Sequence, residues 1–253
     1  QVKLPDSWRE ETAKAAAAQE KIDAQWWTGF KSSELNALMA AALDGNLDLR
    51  AALARIDQAR AAAKIAGAPL LPSVDASAGA GWNRTHPSSG KTTSQNSGRA
   101  GVSVGYEVDL FGRNRAGLSA AEAGLRRSVY DRDALELVVK GDVAQGYFSI
   151  LNLRERMEIA RVNLENSRQV LRIVEARFNA GTASALDVSR QKTSLASAEA
   201  ALTALGNQAR AAENALSILL GEAPRDLKIK SKNLQAVAIP RIPVSQPSSV
   251  VAQ

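Results

Sequence analysis

Apolar residues recur along this chain with two different periods, and the change of period marks out its elements. Leu49, Ala52, Ile56, Ala59, Ala63 and Ala66 are spaced alternately by three and four. This is the a/d stripe of a helix that packs on another helix, and the spacing predicts one helix from Ser33 to about Ala68. Pro69 and Pro72 end it. The period then falls to two. Val74, Ala76, Ala78, Ala80 and Trp82 alternate with Ser73, Asp75, Ser77, Gly79, Gly81 and Asn83. After a polar, turn-rich stretch, "RTHPSSGKTTSQN", the alternation resumes. Ala100, Val102, Val104, Tyr106, Val108 and Leu110 fall on one side; Arg99, Gly101, Ser103, Gly105, Glu107 and Asp109 fall on the other. Two strands of about ten residues around a long loop predict a β-hairpin.

Helical periodicity returns at Arg113 and is predicted to run to Ala180. Leu153, Met157, Ala160, Leu164, Ser167, Leu171, Val174 and Phe178 keep the alternation of four and three. So do Val188, Gln191, Leu195, Ala198, Leu202, Leu205, Ala209, Ala212, Leu216 and Leu219, up to Gly221. A sustained period of 3.5 specifies a left-handed coiled coil. Between the two runs lies "FNAGTASALDVSR". Gly181 suits a left-handed helix end, and Ser184 with Asp187 reads as a capping box. Asp187 is a helix cap on this reading, or a docking residue at a mouth, since interaction sites concentrate on loops.

Lengths relate these parts. A central helix of about 68 residues spans roughly 100 Å, and the two flanking helices of about 36 residues each cover the same distance end to end. One long helix packed against two shorter ones stacked in line is therefore expected, with the hairpin at one end of a rod and the turn, as a tip, at the other. The hairpin's strands match the roughly 9–11 residues that cross a bilayer in a barrel. Lipid-facing Val74, Trp82, Val102, Val104, Tyr106 and Val108 would then back lumen-facing Ser73, Asp75, Ser77, Arg99, Ser103, Glu107 and Asp109. A soluble cap hairpin shows the same alternation. Two strands cannot close a barrel, so further strands would come from other subunits or other sequence.

Composition narrows the classes. The chain has 253 residues, 45% hydrophobic but only 4% aromatic, with a net charge of +6. Alanine and leucine dominate the apolar part, which favours close helix packing. The basic residues are interleaved with acidic ones along helices and read as solvated faces. Cysteine is absent, so no disulfide or thiolate metal site is available. No apolar run reaches the roughly 18 residues of a transmembrane helix, and no signal peptide is read at "QVKLPDSWRE". The lone histidine, His86, sits in the polar loop without convergent partners for catalysis or metal binding. "GAG" at Gly79 to Gly81 lacks the strand-to-helix setting of a nucleotide loop. Glu107 and Asp109 could be taken for a carboxylate pair, but as lumen charges they need no chemistry. Nucleic acid is not expected, for "KIKSK" at Lys228 to Lys232 is short and no stacking platform accompanies it. No cofactor or metal is expected.

Four stretches carry a resemblance. "WWTGFKSSELNALMAAALDGNLDLRAALARIDQARA", "YEVDLFGRNRAG", "VAQGYFSILNL" and "ARFNAGTASALDVSRQKTSLASAEAAL" are together similar to the outer-membrane efflux channel family. These are the TolC-like proteins of drug-export and type I secretion systems. The subgroup most resembled is the one partnered with resistance–nodulation–division pumps. The resemblance runs from about Leu4 to Pro224. It implies a mainly α fold of long antiparallel coiled-coil helices whose β-hairpin contributes to a transmembrane barrel. Family members carry two such repeats and form trimers; this chain holds one, and its Pro-rich tail is expected to lead toward a second.

By position, the resemblance implies an N-terminal equatorial segment at 1–33, a helix at 34–70, the barrel hairpin at 71–111, a helical hairpin at 112–221 and a linker at 222–253. It makes Gly112 the hinge between strand and helix. The periplasmic tip is Gly181, Thr182, Ala183 and Ser184, flanked by Arg177, Phe178, Leu186, Asp187 and Val188; the adaptor docks there in the family. Many relatives of the subgroup start with a lipidated cysteine, which is not present here. The expected role is a passive exit duct for drugs or other small molecules, not an enzyme, in the outer membrane with helices reaching into the periplasm. Its implied partners are two further copies, a periplasmic adaptor, an inner-membrane pump and outer-membrane lipid. A coiled-coil periplasmic adaptor and a type I secretion exit duct are the rival readings. The adaptor would need lipoyl-like β segments flanking the helical hairpin, and strands are read only inside the helical run.

Overall fold

The computed structural model describes residues 25–86, 88, 90–224, 227 and 229–240. The expected N-terminal segment up to residue 24 and the linker from 241 onward lie outside them. The fold is mainly α with one antiparallel hairpin: α1 (Ser33–Gly45), α2 (Leu47–Gly67), β1 (Ser73–Thr85), β2 (Thr93–Gly105), α3 (Arg113–Asn179) and α4 (Ala185–Leu220). It divides into two compact units, one of residues 1–47 and 136–253, the other of residues 48–135.

The first unit is centred on Tyr147, Leu35, Met39, Val143, Ile150, Leu151 and Leu216, each nearly or wholly removed from solvent. Ser32 starts α1, its hydroxyl accepting from the Leu35 amide at 3.1 Å. A short 3-10 turn, Trp26–Phe30, sets Trp27 into the core, where Lys140 stands over its ring and pairs with Glu136. α3 and α4 run antiparallel. Arg154 pairs with Glu213 at 2.8 Å, Arg168 with Glu199 at 3.3 Å and Lys192 with Glu175 at 3.5 Å. The a/d positions read from the sequence are the buried or half-buried ones on both helices, with only Phe178 exposed.

The single helix expected over residues 33–68 is two helices. Asn46 is extended, with φ −62° and ψ 124°, and its side-chain amide donates to the Leu219 carbonyl at 2.8 Å. That bond caps the end of α4 with the residue that ends α1. The backbones touch here: a Cβ on Gly45 would lie 2.3 Å from the Leu220 carbonyl oxygen, and one on Gly221 would lie 2.1 Å from the Gly45 oxygen. Only glycine permits this approach.

The second unit holds α2, the hairpin and the first turns of α3. The α2 stripe from Leu49 to Ala66 is its shielded face. Leu118 of α3 lies close to Gly67, 3.6 Å from where a Cβ would stand. The shielded face of α3 reaches back beyond Leu153, through Asn114, Leu118, Ala121, Leu125, Ser128, Arg132 and Leu135. It then takes two successive steps of four, to Val139 and Val143. Such a stutter locally unwinds a coiled coil.

The strand limits also differ from expectation. β1 pairs with β2 from Ser73 opposite Gly105 to Thr85 opposite Thr93. Much of the expected loop, including Arg84, Thr85 and Thr93 to Asn96, is therefore strand. Tyr106, Glu107, Val108, Asp109 and Leu110 follow the end of β2 and are not strand.

Candidate functional site

Two surfaces gather the residues singled out from sequence. The first is the hairpin. Its register sets like against like: Val74 opposite Val104, Ala76 opposite Val102 and Ala78 opposite Ala100 on one face, Asp75 opposite Ser103 and Ser77 opposite Gly101 on the other. Directly opposed residues point to the same side of a ladder, so over these pairs one face is apolar and the other polar; toward the loop the apolar face ends at Trp82 opposite Asn96 and Arg84 opposite Ser94. Trp82 belongs to the apolar face and Arg99 to the polar one. Both faces are exposed along all 13 residues of each strand. Ser73 and Ser97 hydroxyls donate across the ladder to the Gly105 and Gly81 carbonyls. His86 meets the Thr92 hydroxyl at the turn.

Four of the expected barrel residues fall elsewhere. Tyr106 and Val108 were expected to face lipid from a strand, and Glu107 and Asp109 to line a lumen from the same strand; all four lie in the connector to α3. Asp109 does a specific job there. Its carboxylate accepts from the Asn114 and Arg115 amides at 3.2 and 2.9 Å, and Arg115 folds back onto the Asp109 carbonyl at 2.8 Å. These amides are orphan donors of the first helical turn, so Asp109 is the cap of α3. Gly112, between strand and helix, has φ +75°, and its carbonyl accepts the first helical bond from Ala116.

The second surface is the turn between α3 and α4. Arg177 and Phe178 lie in the last turn of α3. Gly181 has φ +73°, its amide donates to the Phe178 carbonyl at 3.0 Å, and the Thr182 amide donates to the Arg177 carbonyl at 2.8 Å. This pair of bonds is a Schellman motif, and the Thr182 hydroxyl adds a third bond to Arg177 at 3.0 Å. Ser184 then opens α4. Its hydroxyl accepts from the Asp187 amide at 3.2 Å, and Asp187 accepts from the Ser184 amide and hydroxyl at 3.0 and 2.7 Å. The Ser184 hydroxyl, then its amide, and then the charge of Arg190 hold the Asp187 carboxyl below its ordinary range. With its polar groups bonded inward, the turn offers solvent the side chains of Phe178, Leu186 and Arg177. Ala183 and Val188 are half-buried.

A third feature gave no sequence signal. Tyr147 is fully buried, and its hydroxyl meets Ser32, Glu34 and Ser231 within 3.2 Å. Glu34 accepts from the Lys230 and Ser231 amides, while Arg154 donates to the Ile229 and Ser231 carbonyls. Burial pushes the Glu34 carboxyl up, but hydrogen bonds from Ser231, Lys230 and Tyr147 outweigh it and leave it below its ordinary value. Together they strap residues 229–231 onto α1 and α3.

The profile described as "Outer membrane efflux protein" matches residues 38–222. The pyoverdine export outer membrane protein OpmQ of Pseudomonas aeruginosa is 38% identical over 98% of this chain and 54% of its own length. The cation efflux system protein CusC of Escherichia coli K12 is 26% identical over 88% of this chain and 49% of its own. Among solved structures, the outer-membrane channel OprN superposes with a TM-score of 0.76 at 26% identity, over all of this chain and 58% of that one. The open MtrE outer membrane channel of Neisseria gonorrhoeae gives 0.74 at 26% identity, over all of this chain and 57% of that one. The chain spans about half the length of the curated relatives it matches.

Proposed function

From the premise that the chain belongs to the outer membrane efflux protein family, we propose that it builds part of an outer-membrane exit duct. The duct conducts small molecules, drugs among them, passively out of a Gram-negative-type cell as one component of a tripartite export system. No bond is made or broken by the chain; the energy comes from an inner-membrane pump. The observation that carries this reading is the hairpin. Its two strands are paired in register so that one face is apolar from Val74 and Val104 as far as Trp82, giving way to Asn96, Arg84 and Ser94 at the loop end, while the other is polar, and neither face is covered by the described residues. An uncovered ribbon that is two-faced along most of its length is the repeating unit of a barrel with lipid outside and water within. On this reading Val74, Trp82, Val102 and Val104 face lipid, while Ser73, Asp75, Ser77, Arg99 and Ser103 line the lumen.

The helices support assembly. On α3, Ile159, Val162 and Ile173 are exposed and lie two residues beyond Met157, Ala160 and Leu171 of the α4-facing seam. Two residues turn a helix by about 200°, so α3 carries exposed apolar residues on its opposite side, Ile159 with Val162 and then Ile173, separated by Asn166 and Gln169. A homotrimer supplies helices to cover them. The turn at Gly181 to Ser184, with Arg177, Phe178, Leu186, Asp187 and Val188 beside it, is the periplasmic tip that docks the adaptor. The test is retention of a fluorescent efflux dye in cells lacking this protein. Retention that rises, and falls again on restoring the protein, supports the duct; unchanged retention across dyes, metals and secreted cargo argues against it.

A further inference from the structure

Five large apolar side chains cluster in the connectors at the root of the hairpin, and nothing in the second unit covers them. Leu71 precedes β1; Tyr106, Val108, Leu110 and Phe111 follow β2. All five are more than half exposed, and Phe111 is 98% exposed. They are not ladder residues, so their exposure is not explained by the two-faced strands. Cations adjoin them. Arg113 and Arg115 open α3, both side chains reach solvent, and Arg115 is steered back over the connector by Asp109. Aromatic and aliphatic groups bordered by arginine are the composition of a membrane–water boundary.

Distance supports the same placement. Trp82, the aromatic of the apolar face, stands opposite Asn96. From Asn96 to the end of β2 at Gly105 are nine steps, or about 30 Å along the strand. At the 35–45° tilt of barrel strands, that is a height of about 23 Å, close to the roughly 25 Å apolar band between two aromatic girdles. Trp82 thus falls at one edge of the band and Tyr106, one residue beyond Gly105, at the other.

Resting on the channel reading above, we infer that the Tyr106–Phe111 connector is an interfacial anchor. Its partner is the headgroup layer of the phospholipid leaflet, with Phe111 set into the acyl boundary and Arg113 reaching the phosphates. The anchor fixes how deeply the hairpin sits, and with it the height at which α3 leaves the bilayer.

The chain has no cysteine, so a single introduced one reports one position. Phe111→Cys, with Leu110→Cys as a second reporter, is labelled with an environment-sensitive dye. The protein is then reconstituted in vesicles of phosphatidylethanolamine and phosphatidylglycerol. Val102→Cys, on the strand, reports insertion separately. The expected result is several-fold quenching of the 111 and 110 reporters by a shallow lipid-borne nitroxide, with little quenching by aqueous iodide. The 102 reporter should respond to a deep nitroxide instead. Iodide quenching at 111 and 110, with 102 still lipid-protected, overturns the anchor and leaves the barrel standing. Protection of 111 and 110 from both quenchers shows that protein, a second copy included, covers the connector, and also overturns the anchor. A 102 reporter open to iodide overturns the barrel reading itself.

Discussion

Substituting Gly181 isolates one term of the tip's energetics. At φ +73° it is in the left-handed region, and a Cβ added there meets nothing within 4 Å. The cost of Gly181→Ala is therefore conformational alone, about 1–2 kcal/mol. Gly181→Asn costs less, since Asn tolerates this region, and Gly181→Val costs more because of its branched Cβ. Gly124, inside α3, supplies the control. A Cβ there also meets nothing within 4 Å, and its φ is not positive. Gly124→Ala should gain about 0.8–1 kcal/mol of helix propensity. The same atom added to two open sites is thus expected to act with opposite signs.

The assay is hydrogen exchange at the Thr182 amide, whose bond to the Arg177 carbonyl exists only while the Schellman turn is closed. A cost of 1–2 kcal/mol raises the open population about 5–30-fold, and exchange of that amide should quicken by the same factor in Gly181→Ala. Amides in the middle of α4 should be unaffected. Efflux should fall in the order glycine, asparagine, alanine, valine if the turn must be closed to dock. Thr182 exchange that is unchanged in both the alanine and valine variants would refute the conformational argument. Altered exchange with unchanged efflux would refute the docking role while leaving the turn's energetics intact.

Other perturbations test other parts. Gly45→Ala drives a methyl into the Leu220 carbonyl oxygen and should lower stability by about 1–3 kcal/mol, read as a fall in the midpoint of thermal or denaturant unfolding. Tyr147→Phe removes the hydroxyl shared by Ser32, Glu34 and Ser231 while Ser32 and Glu34 keep their amide partners, and should cost about 0.5–1.5 kcal/mol. Limited proteolysis after α4 should quicken with it as residues 229–231 loosen. Asp187 has a folded pKa below its unfolded value of about 3.8. Its contribution is present above that pH and lost as pH falls through the lower folded value. The protection factor of the Ser184 amide, exchange corrected for its intrinsic pH dependence, should accordingly fall as pH drops below that value in the native chain, and much less in Asp187→Asn. Arg168→Ala breaks an exposed pair with Glu199 and should change stability by less than about 1 kcal/mol.

Where packing repeats, the sequence was legible. Every residue of the a/d seam from Val188 to Leu219 is a shielded residue of α4, because one partner helix imposes one period. The reading failed where a side chain serves something other than the repeat. Asn114, Ser128 and Arg132 continue the seam of α3, but their polarity hid it from a search for apolar residues. Asn46 interrupts a helix in order to cap another one far away in sequence. Asp109 sits in phase with the charges of a strand yet caps α3. Tyr106, Val108 and Leu110 prolong the apolar alternation past the end of the ladder, while polar Thr93 to Asn96 lie inside it. Alternation records the environment of side chains, whereas strand limits are set by backbone bonds, and at the root of the hairpin the two part company. The strap on Tyr147 left no trace, since its partners are spread over nearly two hundred positions.

The backbone of the hairpin also constrains what surrounds it. Each strand has one partner among the described residues, so the outer edge of each carries unpaired amide and carbonyl groups. In hydrocarbon every such group costs several kcal/mol, and only a closed barrel removes them all. Charged side chains or a bulge can protect an edge in water, but β1 and β2 are regular over 13 residues each and carry only Asp75, Arg84 and Arg99 between them. On the exit-duct reading the helices make the same demand in water, where Ile159, Val162 and Ile173 of α3 are left exposed by the described residues of the first unit. A bilayer could cover the apolar face of the ribbon but could not pair its edges, and it could not reach apolar residues on a helix in water. On the exit-duct reading, additional strands and additional helices are needed together, and symmetric association of copies is one arrangement that supplies both from one sequence.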